Sequence, residues 1–259
     1  MDRDIAELVE RLGRLETGQV ADVLAEAGLP DQALSAEIRP TGGPVGFAGV
    51  ALCARGRLHA RTRREVPSLP NTVLDSSVFP GAVVMIDAGG FVGGACLGGL
   101  VASSLQRGGA VAVVTDGAVR DVQGIGALGL PAFARVATPV AGARRWGLVA
   151  LGEPISMPGQ TAASVMVHPG DLVLGDADGV IVIPQGCARS VIEDTEEVGR
   201  IEARMAEALR AGRPRAEVFR ENPRFDHVRP AAPAARKEQC GEGSVTRQPR
   251  GGRRARAIA

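Results

Sequence analysis

Two adjacent residues of opposite charge, Arg120 and Asp121, follow a strand-like apolar run in the stretch VAVVTDGAVRDVQG, residues 111–124. A carboxylate such as Asp121 can bind hard divalent cations, Mg²⁺ or Mn²⁺. A guanidinium such as Arg120 can bind a substrate carboxylate or polarise a keto oxygen through its fixed fork of donors. The alternative is a solvated surface pair, which contributes little stability. The pair alone does not decide between a binding site and a surface pair.

A second feature that could bind an anion is the glycine-rich run GGFVGGACLGGLV, residues 89–101, at the start of a predicted helix. Glycines before a helix leave backbone N–H groups exposed at the positive end of the helix dipole, where carboxylates and phosphates bind. The same glycines would also let a helix pack closely on a sheet. Both features follow predicted strands, and ligands of parallel α/β sheets bind at the carboxyl ends of strands.

Other chemistries are poorly supported. GIGALG, residues 124–129, matches the dinucleotide-binding glycine pattern, but Arg120 and Asp121 separate it from the strand, and Pro131 leaves no room for a long helix. The single lysine, Lys237, lies near the end of the chain, which excludes Schiff-base and P-loop chemistry for the body. The four cysteines and three histidines are scattered, so we expect buried free thiols and no zinc site.

The elements that must position these groups alternate between helix and strand, which predicts an α/β domain with parallel strands in its centre. Two helices open the chain at 2–15 and 17–28, the second capped by Thr17 and ended by Gly28. Strands and helices then alternate over 43–56, 71–81, 82–90, 97–109, 110–117, 119–129 and 130–137, and short strands follow over 146–157, 163–176 and 178–184.

One long amphipathic helix is predicted over 185–211. Residues at helical spacing are expected to form its buried face: Val191, Thr195, Val198, Ile201, Met205 and Leu209. Acidic residues are expected on its polar face: Glu193, Asp194, Glu196, Glu197, Glu202 and Glu207.

Composition and charge divide the chain into a body and a tail. The 259 residues suffice for one large domain, and we expect a single α/β domain over 1–228. Residues 229–259 hold eight Arg or Lys against two Glu and are rich in Pro, Gly and Ala, which predicts a basic, disordered tail. The body keeps a net charge of −5.

The same features bear on partners and location. The tail could attract a polyanion, but it has no aromatic residue on which a base could stack, so nucleic acid is not the expected partner. The sequence opens with a charged segment and contains no 18-residue apolar span. We therefore expect no membrane segment and a cytoplasmic protein.

Two stretches resemble the RraA-like family: LGGLVASSLQRGGAVAVVTDGAVRDVQGIGALGLPAFAR, residues 97–135, and HPGDLVLGDADGVIVIP, residues 168–184. The DGxxRD turn followed by PGDxVxxDxDGVxxxP is specific as a combination, and the likeness covers residues 5–210. The family contains class II 4-hydroxy-4-methyl-2-oxoglutarate aldolases and regulators of ribonuclease activity. The resemblance implies a layered α/β/α domain of the swivelling type, with a central mixed β-sheet or barrel and terminal helices.

The resemblance also implies roles for the candidate residues. Arg120 matches the family's substrate arginine, and Asp121 matches its aspartate for a divalent metal, Mg²⁺ or Mn²⁺. The family's substrate-binding loop, whose amides would hold the carboxylate of a pyruvate moiety, falls on Gly98, Gly99, Leu100 and Val101. The implied activity is retro-aldol cleavage of 4-hydroxy-2-oxo acids to pyruvate, with oxaloacetate decarboxylation as a side activity because both pass through the same enolate.

The family's assembly and one departure from its pattern complete the expectation. Members form trimers or dimers of trimers, with an acid from a neighbour's C-terminal helix near the metal; Glu196 or Glu197 could serve here. Many members carry Asp or Glu where this chain has Gly99, which puts the particular substrate in doubt. The alternative function is a non-catalytic regulator that binds and masks a ribonuclease. The retained Arg–Asp pair favours the enzyme, and Gly99 favours the regulator.

Overall fold

The structure is a computed structural model that describes residues 2–59, 69–70 and 72–231. The helices are α1 Arg3–Leu12, α2 Thr17–Glu26, α3 Thr72–Ser77, α4 Gly99–Arg107, α5 Val122–Ala127, α6 Ala188–Arg210 and α7 Arg215–Glu221. The strands are β1 Arg39–Gly42, β2 Phe47–Leu58, β3 Ala82–Asp87, β4 Ala95–Leu97, β5 Ala110–Thr115, β6 Ala118–Val119, β7 Ala132–Ala134, β8 Val136–Ala137, β9 Trp146–Leu151, β10 Ile155–Pro158, β11 Ser164–Val167, β12 Leu172–Gly175 and β13 Val180–Ile183.

Within these ranges, eight strands form a mixed sheet in the order β1-β7-β5-β3-β2-β12-β13, with β9 also paired to β2. Neighbours are parallel through the centre, from β2 to β3, β5 and β7. They are antiparallel where β1 meets β7 and where β12 meets β2 and β13. The predicted α/β fold with a parallel centre is therefore confirmed, and the antiparallel additions make the sheet mixed.

The central strand β3 explains why the core has two sides. Every residue of its sequence AVVMID is buried, as expected for a parallel strand covered on both faces. Alternate side chains point to opposite faces. Val84 and Ile86 therefore join the core under α4 and α5, whereas Val83 and Met85 join the core that includes the β10–β11 hairpin. The second core contains an edge-to-face pair, Phe47 and Phe133, with ring centroids 5.4 Å apart.

A smaller sheet lies beside the main one and was not predicted. Strands β4, β6 and β8 pair in parallel, Ala95 with Ala118 and Ala118 with Val136. The sequence analysis placed residues 130–137 in one strand, but the structure divides them between β7 in the main sheet and β8 in the small one. The expected strand was thus correct in position and wrong in pairing, because the chain changes sheets at Arg135.

The terminal helices α1, α2 and α6 form a layer against β12 and β13, with Leu12, Val20 and Ile192 buried between them. Helix α6 begins at Ala188, after a 3₁₀ turn at Gln185–Cys187, and ends one residue before the predicted end. The buried face was predicted well except for Leu209, which is exposed. Asp194 was placed on the polar face, and this was wrong, since it is buried.

The prediction that Thr17 caps α2 was also wrong. The cap position is Glu16, and Thr17 is the first helical residue. The Thr17 amide and hydroxyl instead donate to the Asp176 carboxylate at 2.9 and 2.7 Å. Gly28 does end the helix, with a left-handed φ of 89°. The acceptor that satisfies the start of α2 thus comes from a loop far away in the sequence.

The segment after α7 returns to the terminal helices. Arg229 bonds to the buried Asp194, and its guanidinium also reaches Glu193 at 2.9 Å. The Ala231 amide donates to the Ala27 carbonyl at 2.9 Å. Residues 229–231, which the sequence analysis assigned to the basic tail, contact the body in this way. The rest of that tail, 232–259, lies outside the described residues.

Candidate functional site

The small sheet gathers the residues that sequence analysis singled out. Its strands are parallel, so their carboxyl ends meet at one edge. β4 leads into Gly98 and helix α4, β6 leads into Arg120 and Asp121, and β8 leads into Thr138. The Arg120 amide donates to the Leu97 carbonyl at 3.0 Å, and the Thr138 amide donates to the Val119 carbonyl at 2.9 Å. The glycine run and the charged pair, 22 residues apart, therefore form one site.

Asp121 is held in a rarely used backbone conformation. Its φ of 60° and ψ of 36° are left-handed, and among the described non-glycine residues it alone has a positive φ. Such a conformation costs an L-residue about 1–2 kcal/mol, although Asp and Asn tolerate it best. The carboxylate accepts a hydrogen bond from the Gly99 amide at 3.0 Å. Strain of this kind concentrates at functional sites, and here it turns the carboxylate toward the start of α4.

Arg120 lies across Gly98. A Cβ placed on Gly98 would come 2.8 Å from the Arg120 Nε and 3.0 Å from the Asp121 Oδ2. Both distances are shorter than normal contacts, so a side chain at this position would displace the pair. The Arg120 Nε lies 3.6 Å from the Asp121 Oδ2, and both side chains are about half exposed, at 41% and 50%. The pair is accessible to a ligand and its arrangement depends on a glycine.

The start of α4 supplies backbone donors beside the pair. The first helical hydrogen bond runs from the Ala102 amide to the Gly98 carbonyl, so the amides of the preceding turn have no intrahelical acceptor. Gly99 uses its amide for Asp121. Within the described residues, the amides of Leu100 and Val101 donate to no protein acceptor. Two of the four predicted loop residues therefore offer free donors at the positive end of the helix.

Two cavities adjoin Arg120, which lines both of them. The first, here called the glycine-side cavity, has a volume of about 130 Å³ and is lined by Ala95, Cys96, Leu97, Gly98, Val101, Arg120, Ala141, Gly142, Ala143 and Trp146. The second, the α5-side cavity, has a volume of about 590 Å³ and is lined by Arg120, Asp121, Val122, Gln123, Gly124, Ala137, Thr138 and Pro139. Arg120 thus lies between a smaller space and a larger, more open one.

Three residues that the sequence analysis missed support the site. Asp116 is buried and accepts hydrogen bonds from the amides of Ala88 and Gly90, which holds the loop after β3. Burial raises the pKa of this carboxyl group. The Trp146 indole donates to the Ala88 carbonyl at 3.1 Å and forms a wall of the glycine-side cavity. Asp87 bonds to Arg57. For the two acids, the available signal was their position at the end of β3 and directly after β5.

Cys96 also lines the glycine-side cavity, and its thiol is not a candidate nucleophile. Its sulfur lies 3.1 Å from the Ala118 carbonyl oxygen, to which it donates. Burial raises the pKa of the thiol to about 11, so the nucleophilic thiolate is scarce at neutral pH. Cys53 is buried and Cys187 half-buried, both as free thiols, as expected; Cys240 lies outside the described residues.

The two acids considered on the C-terminal helix have different surroundings. Both oxygens of Glu196 accept hydrogen bonds from Arg11, from Nε and Nη2, at 2.8 Å each. This pairing lowers the pKa of Glu196. Glu197 bonds to Arg200 on the same helix at 2.7 Å, which lowers its pKa. The structure does not bring either acid into contact with Arg120 or Asp121 of the same chain.

The glycine pattern GIGALG lies inside and just after α5, and its middle glycine, Gly126, serves packing. A Cβ on Gly43 would come 2.9 Å from the Gly126 Cα, so both positions need glycine for the close approach of β1 and α5. Gly129, with φ 72°, ends the helix. The run does not sit between a strand and a long helix, as a dinucleotide site requires.

A single carboxylate is the acidic group of the site. In the described parts of the chain, no group of three or more His, Cys, Asp or Glu side chains is arranged to hold a metal ion. Mg²⁺ keeps several waters and is often bound by one or two carboxylates plus substrate oxygens. An exposed Asp121 with one hydrogen bond therefore fits a hydrated Mg²⁺ or Mn²⁺, and does not fit a closed zinc site.

A protein-family model described as RraA-like, Aldolase/RraA, matches residues 17–182, which is more than half of the chain. The chain belongs to the RraA-like family. A Halalkalibacterium halodurans relative named "Putative 4-hydroxy-4-methyl-2-oxoglutarate aldolase" is 38% identical over 118 residues, which cover 46% of this chain and 53% of that protein. The RraA-like chain thus spans about half the length of that relative.

A Thermus thermophilus relative named 4-hydroxy-4-methyl-2-oxoglutarate aldolase is 31% identical over 156 residues, which cover 60% of this chain and 85% of that protein. The crystal structure of Streptomyces coelicolor RraAS2, described as an unusual member of the RNase ES inhibitor RraA protein family, aligns with a TM-score of 0.67 and 26% identity. It covers 77% of this chain and 98% of that one. The RraA-like fold expected from the sequence is confirmed. None of the helices in the described residues has the length and hydropathy needed to cross a membrane.

Proposed function

We propose that this RraA-like protein is a divalent-metal-dependent lyase that cleaves 4-hydroxy-2-oxo acids to pyruvate. The observation that supports this most directly is the convergence of three groups at one sheet edge. These are the Arg120 guanidinium, the Asp121 carboxylate and the free amides of Leu100 and Val101. The names of relatives supply the substrate type, 4-hydroxy-4-methyl-2-oxoglutarate.

Each group has a distinct task in this mechanism. The amides of Leu100 and Val101 bind the substrate carboxylate at the positive end of α4. Asp121 would hold a Mg²⁺ or Mn²⁺ ion, which would supply a Lewis acid to the 2-oxo group. The Gly99 amide, by donating to the Asp121 Oδ2, keeps this carboxylate oriented between the amides and Arg120.

Arg120 stabilises the charge that develops during bond cleavage. The C4 hydroxyl gives its proton to the carboxylate that a second copy supplies, the C3–C4 bond breaks, and its electron pair forms the enolate of pyruvate while a carbonyl compound leaves. The guanidinium donates to the enolate oxygen at C2, where negative charge appears in the transition state. The same carboxylic acid then returns the proton to C3, which completes pyruvate. Oxaloacetate decarboxylation reaches the same enolate with CO₂ as the leaving group, so we propose it as a side activity.

We propose that the active assembly is a trimer or hexamer in which a second copy supplies an acid from α6. Of the two acids considered, Glu196 is bound through both oxygens by Arg11, whereas Glu197 has one surface bond to Arg200. Glu197 is therefore the acid more readily released to a neighbouring copy. Its role would be to move the proton at the C4 hydroxyl, a function that a one-chain site with a single carboxylate lacks.

The test is pyruvate release from oxaloacetate and from 4-hydroxy-4-methyl-2-oxoglutarate, with Mg²⁺ or Mn²⁺ and then with excess EDTA. We expect turnover with metal, none with EDTA, and none in Asp121→Ala. Gln19→Ala is a control, because Gln19 bonds to Glu202 and lines neither cavity beside Arg120. A folded protein that releases no pyruvate from either compound would contradict the proposal.

The second candidate function is a regulator that binds and masks a ribonuclease. Gly99 favours it, because glycine at this position adds no second carboxylate beside Asp121. The description of the S. coelicolor relative as a member of the RNase ES inhibitor family also favours it. A pull-down on purified ribonuclease, with the full chain and with a chain lacking 229–259, would test it. Capture of ribonuclease together with absent turnover would make this the better proposal.

A further inference from the structure

We propose that Asp116 is a positioning residue for the Arg120–Asp121 site and acts through the loop 88–91 that follows β3. Asp116 lines neither of the two cavities beside Arg120, so it acts on the site through the loop and not by contact with a substrate. The loop in turn sets the start of β6 and the Trp146 wall of the glycine-side cavity. The inference rests on the proposed function for its effect on turnover, whereas its effects on ligand binding and on Trp146 are measured without turnover.

The Asp116 carboxylate is buried and satisfies two backbone amides of the loop. The residue is 3% exposed. Its Oδ1 accepts a hydrogen bond from the Ala88 amide at 2.5 Å, and its Oδ2 accepts one from the Gly90 amide at 2.6 Å. Gly89 and Gly90 have left-handed φ angles of 66° and 70°. A carboxylate can hold such a turn by two amides at once, because each of its oxygens is an acceptor.

The first route from the loop to the site leads through β6. The Ala118 amide, at the start of β6, donates to the Phe91 carbonyl at 3.2 Å. Residue 117 is glycine where the two segments approach: a Cβ on Gly117 would lie 2.7 Å from the Ala88 Cβ and 3.0 Å from the Phe91 carbonyl oxygen. Arg120 follows β6 directly. A shift of the loop would therefore move the strand that carries Arg120.

The second route leads to the wall of the glycine-side cavity. The Trp146 indole donates to the Ala88 carbonyl at 3.1 Å, in the same residue whose amide Asp116 binds. On its other side the indole ring lies against β2, where a Cβ on Gly56 would come 1.8 Å from the ring carbon Cζ2. The ring is thus held between β2 and the loop, and its position depends on both.

Asp171, directly before β12, offers a matched comparison. It is also buried, and each of its oxygens accepts one backbone amide, from Gln185 at 3.1 Å and from His168 at 2.8 Å. It lines neither cavity beside Arg120. Replacing either aspartate with asparagine removes one acceptor oxygen and leaves a buried amide without its partner, so both changes should lower stability.

The test compares Asp116→Asn with Asp171→Asn in the full-length protein. The first measurement is the fluorescence of Trp146, the single tryptophan of the chain. We expect the emission of folded Asp116→Asn to shift to longer wavelength, because the loop that binds the indole is loosened. Folded Asp171→Asn should keep the wild-type spectrum.

The second measurement is calorimetric binding of oxalate, a stable analogue of the pyruvate enolate, in the presence of Mg²⁺. We expect Asp116→Asn to bind oxalate about tenfold more weakly, because a small displacement of binding groups is costly. Its kcat/KM for pyruvate release should fall by at least about the same factor. Asp171→Asn should match the wild-type protein in both.

Gly117→Ala displaces the loop by a different route and leaves the Asp116 carboxylate intact. The added Cβ would press against Ala88 and Phe91, so this variant should also bind oxalate about tenfold more weakly. It tests the role of the loop even where Asp116→Asn does not fold.

The outcomes separate this inference from the function on which it rests. Unchanged Trp146 emission and oxalate affinity in folded Asp116→Asn, or equal losses in the two Asp variants, would overturn the positioning role. Wild-type oxalate affinity in folded Gly117→Ala would do the same. Absent turnover in the wild-type protein, with oxalate binding that is weakened only in Asp116→Asn and Gly117→Ala, would support the positioning role and overturn the lyase. Absence of both turnover and oxalate binding in the wild type would overturn both, since no site would remain for Asp116 to position.

Discussion

At the residue scale, the left-handed backbone of Asp121 allows the effect of a mutation on stability to be distinguished from its effect on metal-dependent turnover. Asn tolerates a left-handed conformation as well as Asp does and can accept the Gly99 amide through its side-chain oxygen. Asp121→Asn should therefore melt near the wild-type temperature, yet lose the response of turnover to Mg²⁺ or Mn²⁺. Asp121→Ala should also lose stability, by about 1–2 kcal/mol. Denaturant unfolding and metal titration of both variants would check this; metal-dependent turnover in Asp121→Asn would contradict the metal assignment.

Arg120 gives a second prediction at this scale. Arg120→Ala removes the donor to the enolate oxygen, which should cost at least ~3 kcal/mol, roughly a hundredfold in kcat/KM. Arg120→Lys keeps the charge but loses the planar fork, so it should restore only part of the rate. The side chain is 41% exposed, so neither variant should unfold the protein. Pyruvate release by the two variants is the measurement, and an unchanged rate in Arg120→Ala would exclude its catalytic role.

At the scale of elements, the turn from β4 into α4 accommodates the Arg120 side chain because residue 98 is glycine. Its missing Cβ leaves room for Arg120, which would otherwise meet it at 2.8 Å. Gly98→Ala should thus lower kcat/KM more than it lowers stability, because the displaced group is a flexible, half-exposed side chain. Gly18→Ala is the matched control: it has nothing within 4 Å and lies in α2, where alanine is favoured by about 1 kcal/mol. Equal loss of activity in the two variants would refute the positioning role.

Helix α6 carries a paired prediction for its two acids. Glu196 joins α6 to α1 through Arg11, so Glu196→Gln should lower stability and leave the catalytic rate near wild type. Glu197→Gln should do the reverse if a second copy uses this acid. Thermal melts and kcat of the two variants would distinguish them, and a loss of kcat in Glu196→Gln alone would reverse the proposed choice.

The Arg11–Glu196 pair also predicts a pH dependence. The hydrogen bond from Arg11 lowers the pKa of folded Glu196 below the ordinary value of 4.5. Its stabilisation is therefore fully present above pH 4.5 and is lost as the pH falls through the folded pKa. The difference in unfolding free energy between wild type and Glu196→Gln should be constant near neutrality and shrink in acid. A difference that grows with acidification would contradict this linkage.

At the scale of the whole molecule, the C-terminal segment closes the layer of α1, α2 and α6. Arg229 neutralises the buried Asp194, and Phe225 and Val228 pack against the same layer. Removing 222–259 would leave the buried Asp194 without its partner Arg229. This should lower the free energy of unfolding by about 3 kcal/mol. Removing only 232–259 should leave the melting temperature unchanged, since those residues are expected to be a solvated tail. Melting curves of both truncations would check this, and equal loss in both would contradict it.

Much of this molecule could be predicted from local sequence. The helices and the long strands were located because amphipathic period, glycine stops and turn residues act within a few positions of one another. The resemblance that begins at Leu97 then supplied roles for Arg120 and Asp121 and for the glycine run. Their position after predicted strands suggested a shared edge, but the strands that directly precede them belong to the small sheet, which was not predicted.

Only the tertiary structure decided how that edge is built. Strands β4, β6 and β8 have three, two and two residues, too few to show a periodicity, and they exist because they pair with one another. The buried Asp194 and Asp116 likewise find their partners 35 and 28 residues away. Local sequence determines which elements form, whereas such distant contacts depend on the folding of the whole chain, since their loop-closure cost is repaid only when the surrounding core is in place.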